Sequence, residues 1–185
     1  MEAAFKNYSS TNPYIASDKC SSHSYHIVYD QIFGQHRHEP IRLLEIGVMS
    51  GASLLGWAEY FTHPETSITG IDITLEYMNV ILSDDRINFL IKDGTKKSEA
   101  LPGTFNFIID DGSHKYVDQL SSFVVYKDSL VQGGFYIIED VQTIEWAELI
   151  CEFGRNIGFE AFVHDLRDVK NHPYDIIVVL KRTQA

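Results

Sequence analysis

The chain of 185 residues has the size of one domain and enough surface to bury that neither disulfides nor a structural metal is needed to hold a core. With 15 Lys plus Arg against 26 Asp plus Glu, its formal charge of −11 repels a phosphate backbone, and no basic cluster reverses this locally, so nucleic acid is not an expected partner. No run approaches ~18 apolar residues, and the opening MEAAFKNYSS lacks a basic segment followed by an apolar one, so neither a membrane span nor a cleaved secretion signal is expected.

Residues 1–20 are polar and broken by Pro13, and read as an arm or lid ahead of a single domain over 21–185. In SSHSYHIVYDQIFGQH, residues Tyr25, Val28, Tyr29, Ile32 and Phe33 recur at helical spacing, with Ser21 or Ser22 placed to cap. The short apolar run IRLLEIG predicts a buried strand. GASLLGWAEYF then reads as a helix, SITGIDI as a strand, LEYMNVIL as a helix and INFLIKD as a strand. FNFIID is the next strand, followed by a helix from Val117 to Leu130 with Val117, Leu120, Phe123 and Val124 inward. GGFYIIED is a strand, a helix runs from about Ile144 to Asn156, and EAFVHDL and YDIIVVLKR close the chain as two strands. Apolar strands alternating with amphipathic helices predict an α/β fold, a mostly parallel seven-stranded sheet with helices on both faces. The last two strands, separated only by a loop around Pro173, predict an antiparallel pair.

Open sheets of this kind bind ligands beyond the carboxyl ends of their strands. Every expected parallel strand ends in acid there: Glu45, Asp72, Asp93, Asp110 with Asp111, and Glu139 with Asp140. In LLEIGVMSGAS, Gly47 and Gly51 flank a strand-to-helix turn that is neither a dinucleotide GxGxxG nor a P-loop. Asp72 stands where an acid accepts the hydroxyls of a ribose, and Asp93 where one accepts from an adenine amino group or caps a turn with Gly94. Together these features suit an adenosine-containing cofactor without diphosphate. S-adenosylmethionine fits, its sulfonium tolerated by the acidic rim. Glycines at a tight turn and solvated strand-end acids are the plain alternatives.

Asp110 or Asp111 and Glu139 or Asp140 converge if the fourth and fifth strands are neighbours, and oxygen-only ligands favour magnesium, manganese or calcium. A divalent ion would offset the repulsion among these acids. For Glu139 and Asp140 to face one ion, the backbone must already be turning out of the strand. His114, three residues after Asp111, has the chemistry of a general base, or caps a helix on the surface. No GxSxG elbow surrounds Ser113, and no HxD pattern points to a non-haem iron oxygenase.

The segments SDKCSSHSYHIVY, LLEIGVMSGASLLGWAEYF, GIDI, IIDDGSH and GGFYIIEDVQT resemble the metal-dependent sugar O-methyltransferases typified by the macrocin and mycinamicin enzymes, relatives of which are labelled cephalosporin hydroxylases. The resemblance covers roughly Ser17 to Thr143, and DDGSH combined with IED on the following strand is its most specific part. It implies a class I, Rossmann-like methyltransferase fold binding S-adenosylmethionine. It further implies Mg2+, or Mn2+ in its place, on Asp111, Glu139 and Asp140, with His114 as general base. Glu45, Gly47, Gly51, Ser53, Asp72, Asp93 and Asp110 are then assigned to the cofactor pocket, and Lys19, His23 and Tyr25 to a substrate or lid region. Val48, Met49 and Ser50 replace part of the family's glycine-rich turn.

The implied reaction is methyl transfer to a hydroxyl of rhamnose or another deoxyhexose in a glycan or glycoside, with vicinal hydroxyls held by the ion. Methylation of a catechol or other non-sugar diol, and a non-catalytic glycan-binding or interaction domain, are the competing readings. Two distant cysteines, Cys20 and Cys151, suit reduced thiols in the cytoplasm. The chain also resembles methyltransferase modules inside larger viral glycan-building proteins, which would place an excised domain in a host cytoplasm. A small-molecule or glycan acceptor and a homodimer complete the expected partners.

Overall fold

The computed structural model describes residues 1–5 and 17–183, so most of the expected arm lies outside the described residues. A seven-stranded sheet has the order β3-β2-β1-β4-β5-β7-β6. The strands are β1 (Arg42–Ile46), β2 (Ser67–Asp72), β3 (Ile87–Ile91), β4 (Phe105–Asp110), β5 (Leu130–Ile138), β6 (Phe159–Asp165) and β7 (Ile176–Arg182). The first five are mutually parallel, and β7 pairs antiparallel with both β5 and β6. Strand order reverses between β1 and β4, the switch point beyond which ligands bind in open α/β sheets.

Adjacent residues on one strand serve opposite faces, and this alternation divides the core. Leu43, Phe107 and Ile109 pack with α1 (His26–Phe33) and α2 (Ala52–Tyr60). Leu44, Ile108 and Ile138 face α3 (Tyr116–Tyr126) and α4 (Ile144–Asn156). The first face is aromatic: Phe33 lies 4.6 Å from Phe107 and 5.6 Å from Trp57, ring centre to ring centre, and all three are buried. Each such ring removed from water contributes about 1.5–3 kcal/mol, and this packing fixes α1 under the site. Among the described residues no helix is long and apolar enough to cross a membrane.

Three local expectations are corrected. Neither Ser21 nor Ser22 caps α1; its first residue follows Tyr25, with no side-chain cap, because Ser21, Ser22 and His23 instead donate their N–H groups to the Asp18 carbonyl in a separate turn. LEYMNVIL forms no helix. The Asn79 and Val80 amides donate to the Ser50 carbonyl, and Met78 and Val80 lie against Gly51, so the segment is laid over the start of α2. In α3 the inward phase is Gln119, Ser122, Phe123 and Tyr126, leaving Val117 and Val124 exposed. Two polar side chains displace apolar ones from the buried face because the site behind them takes their hydrogen bonds.

Candidate active site

The carboxyl ends of β3, β2, β1, β4 and β5 form one edge, and the acidic residues that end these runs gather there. Two backbone devices shape it. Gly47 has φ 82°, and a Cβ on it would fall 2.2 Å from the Asp111 carbonyl oxygen, so only glycine lets the β1 turn pass the β4 turn this closely. His114 and Asp140 also lie in the left-handed region, at φ 58° and 50°, where non-glycine residues are uncommon. The left-handed φ at Asp140 takes the chain out of the extended form just after β5.

Asp111, His114 and Asp140 meet on the outer side. The His114 Nε2 is 3.1 Å from Asp111 Oδ1 and 3.9 Å from Asp140 Oδ2, and the three side chains bring their donor atoms within 4.8 Å of one another. Glu139 faces inward. It accepts hydrogen bonds from Tyr29 Oη and Lys19 Nζ, while Gln119 Nε2 donates to its backbone carbonyl at 2.9 Å. Lys19 is the buried centre of this inner side: its ammonium also donates to Asp111 Oδ2 at 2.6 Å and lies 3.2 Å from Glu45 Oε1.

The protonation energetics follow from this packing. Burial works to depress Lys19, but Asp111, Glu139 and Glu45 outweigh it and hold the ammonium well above the ordinary lysine range. Burial opposes ionisation of Asp111 too, yet Lys19 and His114 prevail and keep its carboxylate below the usual range. Glu139, Glu45 and Asp140 are pushed up, chiefly by burial. The hydrogen bond to Asp111 raises His114 against the opposing effect of burial.

His23 and Tyr25 support Asp140. The His23 ring lies with Nδ1 3.2 Å from buried Asp175 and Nε2 3.6 Å from Asp140, and the Asp140 N–H donates to Tyr25 Oη at 3.3 Å.

Beside the acids lies a pocket of about 310 Å³ at the switch point, lined by Gly47, Asp72, Asp93, Gly94, Asp110, Ser113 and Ser122 among others. Gly47, Asp72, Asp93 and Asp110 of the expected cofactor set therefore share one cavity. Asp72 Oδ2 accepts from the Val48 and Met49 amides at 3.0 and 3.1 Å, organising the turn that walls it. Glu45 and Ser53 are buried behind the turn, joined by a 2.8 Å hydrogen bond, and Gly51 starts α2 with φ 83°; none of the three lines the cavity.

The donor chemistry fits a hard divalent cation. Asp111, Glu139 and Asp140 stand at the rim with Glu45 buried behind them, and a lysine ammonium already sits among three of these four acids, so the arrangement attracts positive charge. The cavity fits a nucleoside, with apolar Ile46, Ile71 and Ile73 between polar strand ends.

The sequence alone places Lys19 in a lid or substrate region without chemistry and Tyr29, by its helical spacing, in packing on the first helix, and it does not single out Gln119, Ser122 or Asp175. Only the helical spacing of Gln119 and Ser122, one turn from Phe123 and Tyr126, carried a signal for any of them.

Comparison with known proteins agrees with the motif resemblance. The chain is 34% identical over 143 residues to the 8-demethyl-8-(2-methoxy-alpha-L-rhamnosyl)-tetracenomycin-C 3'-O-methyltransferase of Streptomyces olivaceus, covering 69% of this chain and 35% of that protein. It is 33% identical over 131 residues to the mycinamicin VI 2''-O-methyltransferase of Micromonospora griseorubida, covering 64% and 31%. The chain thus spans about a third of the length of these curated relatives. No family model matches. In fold it is similar to the MycE methyltransferase of the mycinamycin biosynthetic pathway, solved with Mg and SAH, with a TM-score of 0.69 and 22% identity over 92% of this chain and 53% of that one. A methyltransferase from Pyrococcus furiosus gives a TM-score of 0.65 at 15% identity, covering 85% and 83%. The fold is that of the Rossmann-like methyltransferases, and the two sequence relatives named above are O-methyltransferases.

Proposed function

We propose that the chain is an S-adenosylmethionine- and Mg2+-dependent O-methyltransferase acting on a sugar hydroxyl, of rhamnose or another deoxyhexose in a glycan or glycoside. The observation that carries this reading is the juxtaposition of His114, Asp111 and Asp140 on a rim next to a nucleoside-sized cavity at the switch point. The relatives' rhamnosyl and mycinamicin acceptors support a glycoside over other alcohols.

Asp72 and Asp93 would receive the adenosine, with the Gly47 turn against its amino-acid end. Asp111 and Asp140 would hold the divalent ion from the outer side, while Glu139, its two oxygens taken by Lys19 and Tyr29 on the inner side, would join them only through its remaining lone pairs. When bound, the sulfonium supplies the methyl group, and the ion supplies charge that favours ionisation of the acceptor hydroxyl. With Nε2–H of His114 donating to Asp111 Oδ1 at 3.1 Å, the other ring nitrogen, Nδ1, takes the acceptor's proton, and Asp111 stabilises the imidazolium that results. The left-handed backbone at His114 keeps the ring over the rim, half-exposed, where a polyhydroxylated acceptor reaches it. Tyr25 and His23 restrain Asp140 so that the geometry does not depend on the acceptor.

The test is incubation of the purified chain with labelled cofactor and Mg2+ against deoxyhexosides, nucleotide sugars and catechols, read by the mass gain of one methyl. Transfer to a deoxyhexoside that stops on chelation supports the proposal. Transfer to catechols alone rejects the sugar reading, and binding of glycan without transfer on any acceptor rejects catalysis.

A further inference from the structure

We propose that Lys19 is a positioning residue whose ammonium occupies the inner half of the acidic rim as a resident counter-ion, so that the rim takes a single divalent ion at its outer half. The inference rests on the reading of the rim as a divalent-ion site and concerns how this chain divides that site.

A lysine ammonium has three N–H donors, and here three carboxylates surround it: Asp111 Oδ2 at 2.6 Å, Glu45 Oε1 at 3.2 Å, and Glu139 Oε2. Lys19 is 1% exposed, a degree of burial that lysine accepts only when paired. The Asp111 carboxylate is split by this contact, with Oδ2 directed inward to Lys19 and Oδ1 outward to His114. It bridges an ammonium on one side and the proposed ion on the other.

The lysine is held in place by its backbone. Asp18 accepts three N–H groups of the turn through its carbonyl, from Ser21, Ser22 and His23. Lys170 Nζ, from the short helix α5 (Arg167–Lys170), donates to the carbonyls of Cys20 at 2.7 Å and His23 at 2.8 Å. Ser24 N–H donates to buried Asp175 at 3.1 Å. The turn carrying Lys19 is thus clasped from the far end of the sheet, and the ammonium is a fixed part of the wall.

Charge explains the consequence. Four carboxylates stand at and behind the rim, and one ammonium with one divalent ion leaves a single negative charge. Without Lys19 the same four carboxylates would balance two divalent ions, as in paired-metal sites. Removing the side chain also leaves Glu139 and Glu45 buried without their cation, so that they either take up protons or admit another cation.

The experiment is Mn2+ titration of the native chain, Lys19→Ala and Lys19→Met, followed by calorimetry and electron paramagnetic resonance, with melting temperatures in chelator and in Mn2+. The native chain is expected to take one ion. Lys19→Ala, which opens the space, is expected to melt lower in chelator, to recover in Mn2+, and to take two ions with the broadened spectrum of a spin-coupled pair. Lys19→Met, which fills the space without charge, is expected to take one ion and to recover less. Two ions on the native chain, or one on Lys19→Ala at native affinity, would overturn the proposal. So would a Lys19→Ala chain that stays unfolded in millimolar Mn2+, since the vacated place then accepts no cation. If the native chain takes no Mn2+, the metal reading of the rim fails, and the division of the rim fails separately unless Lys19→Ala gains an ion.

Discussion

His114 Nε2 stands 3.1 Å from Asp111 Oδ1, and the two residues belong to one turn that leaves β4 and bends through a left-handed backbone at the histidine. On the proposed function this contact would hold the base beside the ion and stabilise its imidazolium. Replacing His114 with alanine is therefore expected to lower kcat by about 10²–10⁴ while leaving the dissociation constant for S-adenosylhomocysteine within a few-fold of native. Steady-state rates and calorimetry on the same preparation check this. A near-native kcat at saturating Mg2+ would remove His114 from the mechanism.

Asp72 performs two tasks with one carboxylate. Its Oδ2 organises the turn through the Val48 and Met49 amides, and its side chain lines the cavity. Asp72→Asn retains an oxygen acceptor for those amides but removes the charge that, on the proposed function, would receive the ribose hydroxyls. It is expected to weaken S-adenosylmethionine binding by about tenfold or more, with a small change in melting temperature, since hydrogen bonds to charged groups contribute about 1.5–3 kcal/mol. Equal affinity in the variant and native chains would move the ribose elsewhere.

The strands and their acidic ends were legible because an apolar run stopping at a carboxylate has few physical readings, and five such stops in one parallel order mark one edge. Lys19 was legible as a lid or substrate residue but not as the buried cation among the acids. It lies in a polar stretch, and its partners Asp111 and Glu139 stand 92 and 120 residues away, so its burial depends on the assembled sheet. Tyr29 was read from its spacing as a packing residue; its ring does pack, stacking on Phe33 at 5.1 Å, but its hydroxyl serves Glu139. The absent helix at LEYMNVIL shows the opposite limit: its periodicity was helical, yet Ser50 offered the Asn79 and Val80 amides a carbonyl and Gly51 offered Met78 a flat surface.

Gly47 tests the closeness of the two turns. An alanine there would combine a φ of 82° with a Cβ 2.2 Å from the Asp111 carbonyl oxygen, and the atom it meets is backbone that cannot swing aside. Gly47→Ala is expected to destabilise the fold by about 1–3 kcal/mol from the backbone strain alone, and by more as the clash displaces Asp111. Denaturant unfolding measures the first effect and Mn2+ affinity the second. A stable variant with native ion binding would show that the β1 and β4 turns are not in this contact.

Asp110 gives a pH dependence whose sign is opposite to that of an ordinary paired carboxylate. It is 2% exposed and accepts from Ser122 at 2.6 Å, Tyr136 at 3.2 Å and the Gly112 amide at 3.2 Å, but burial prevails and pushes its pKa up to about 6 from 3.8. A carboxyl group raised by folding binds its proton more tightly in the native state. Its contribution to stability is therefore complete below the unfolded value near 4 and is lost as pH rises through about 6. Unfolding free energies of the native chain in chelator should carry a downward component across that window, on the order of 2–3 kcal/mol at most. In Asp110→Asn, neutral throughout, that component should disappear, so the difference between variant and native stability grows in the variant's favour from pH 4 to pH 7. A constant difference over the window would mean that Asp110 ionises as freely in the folded chain as in water, and that the hydrogen bonds from Ser122, Tyr136 and Gly112 fully offset its burial.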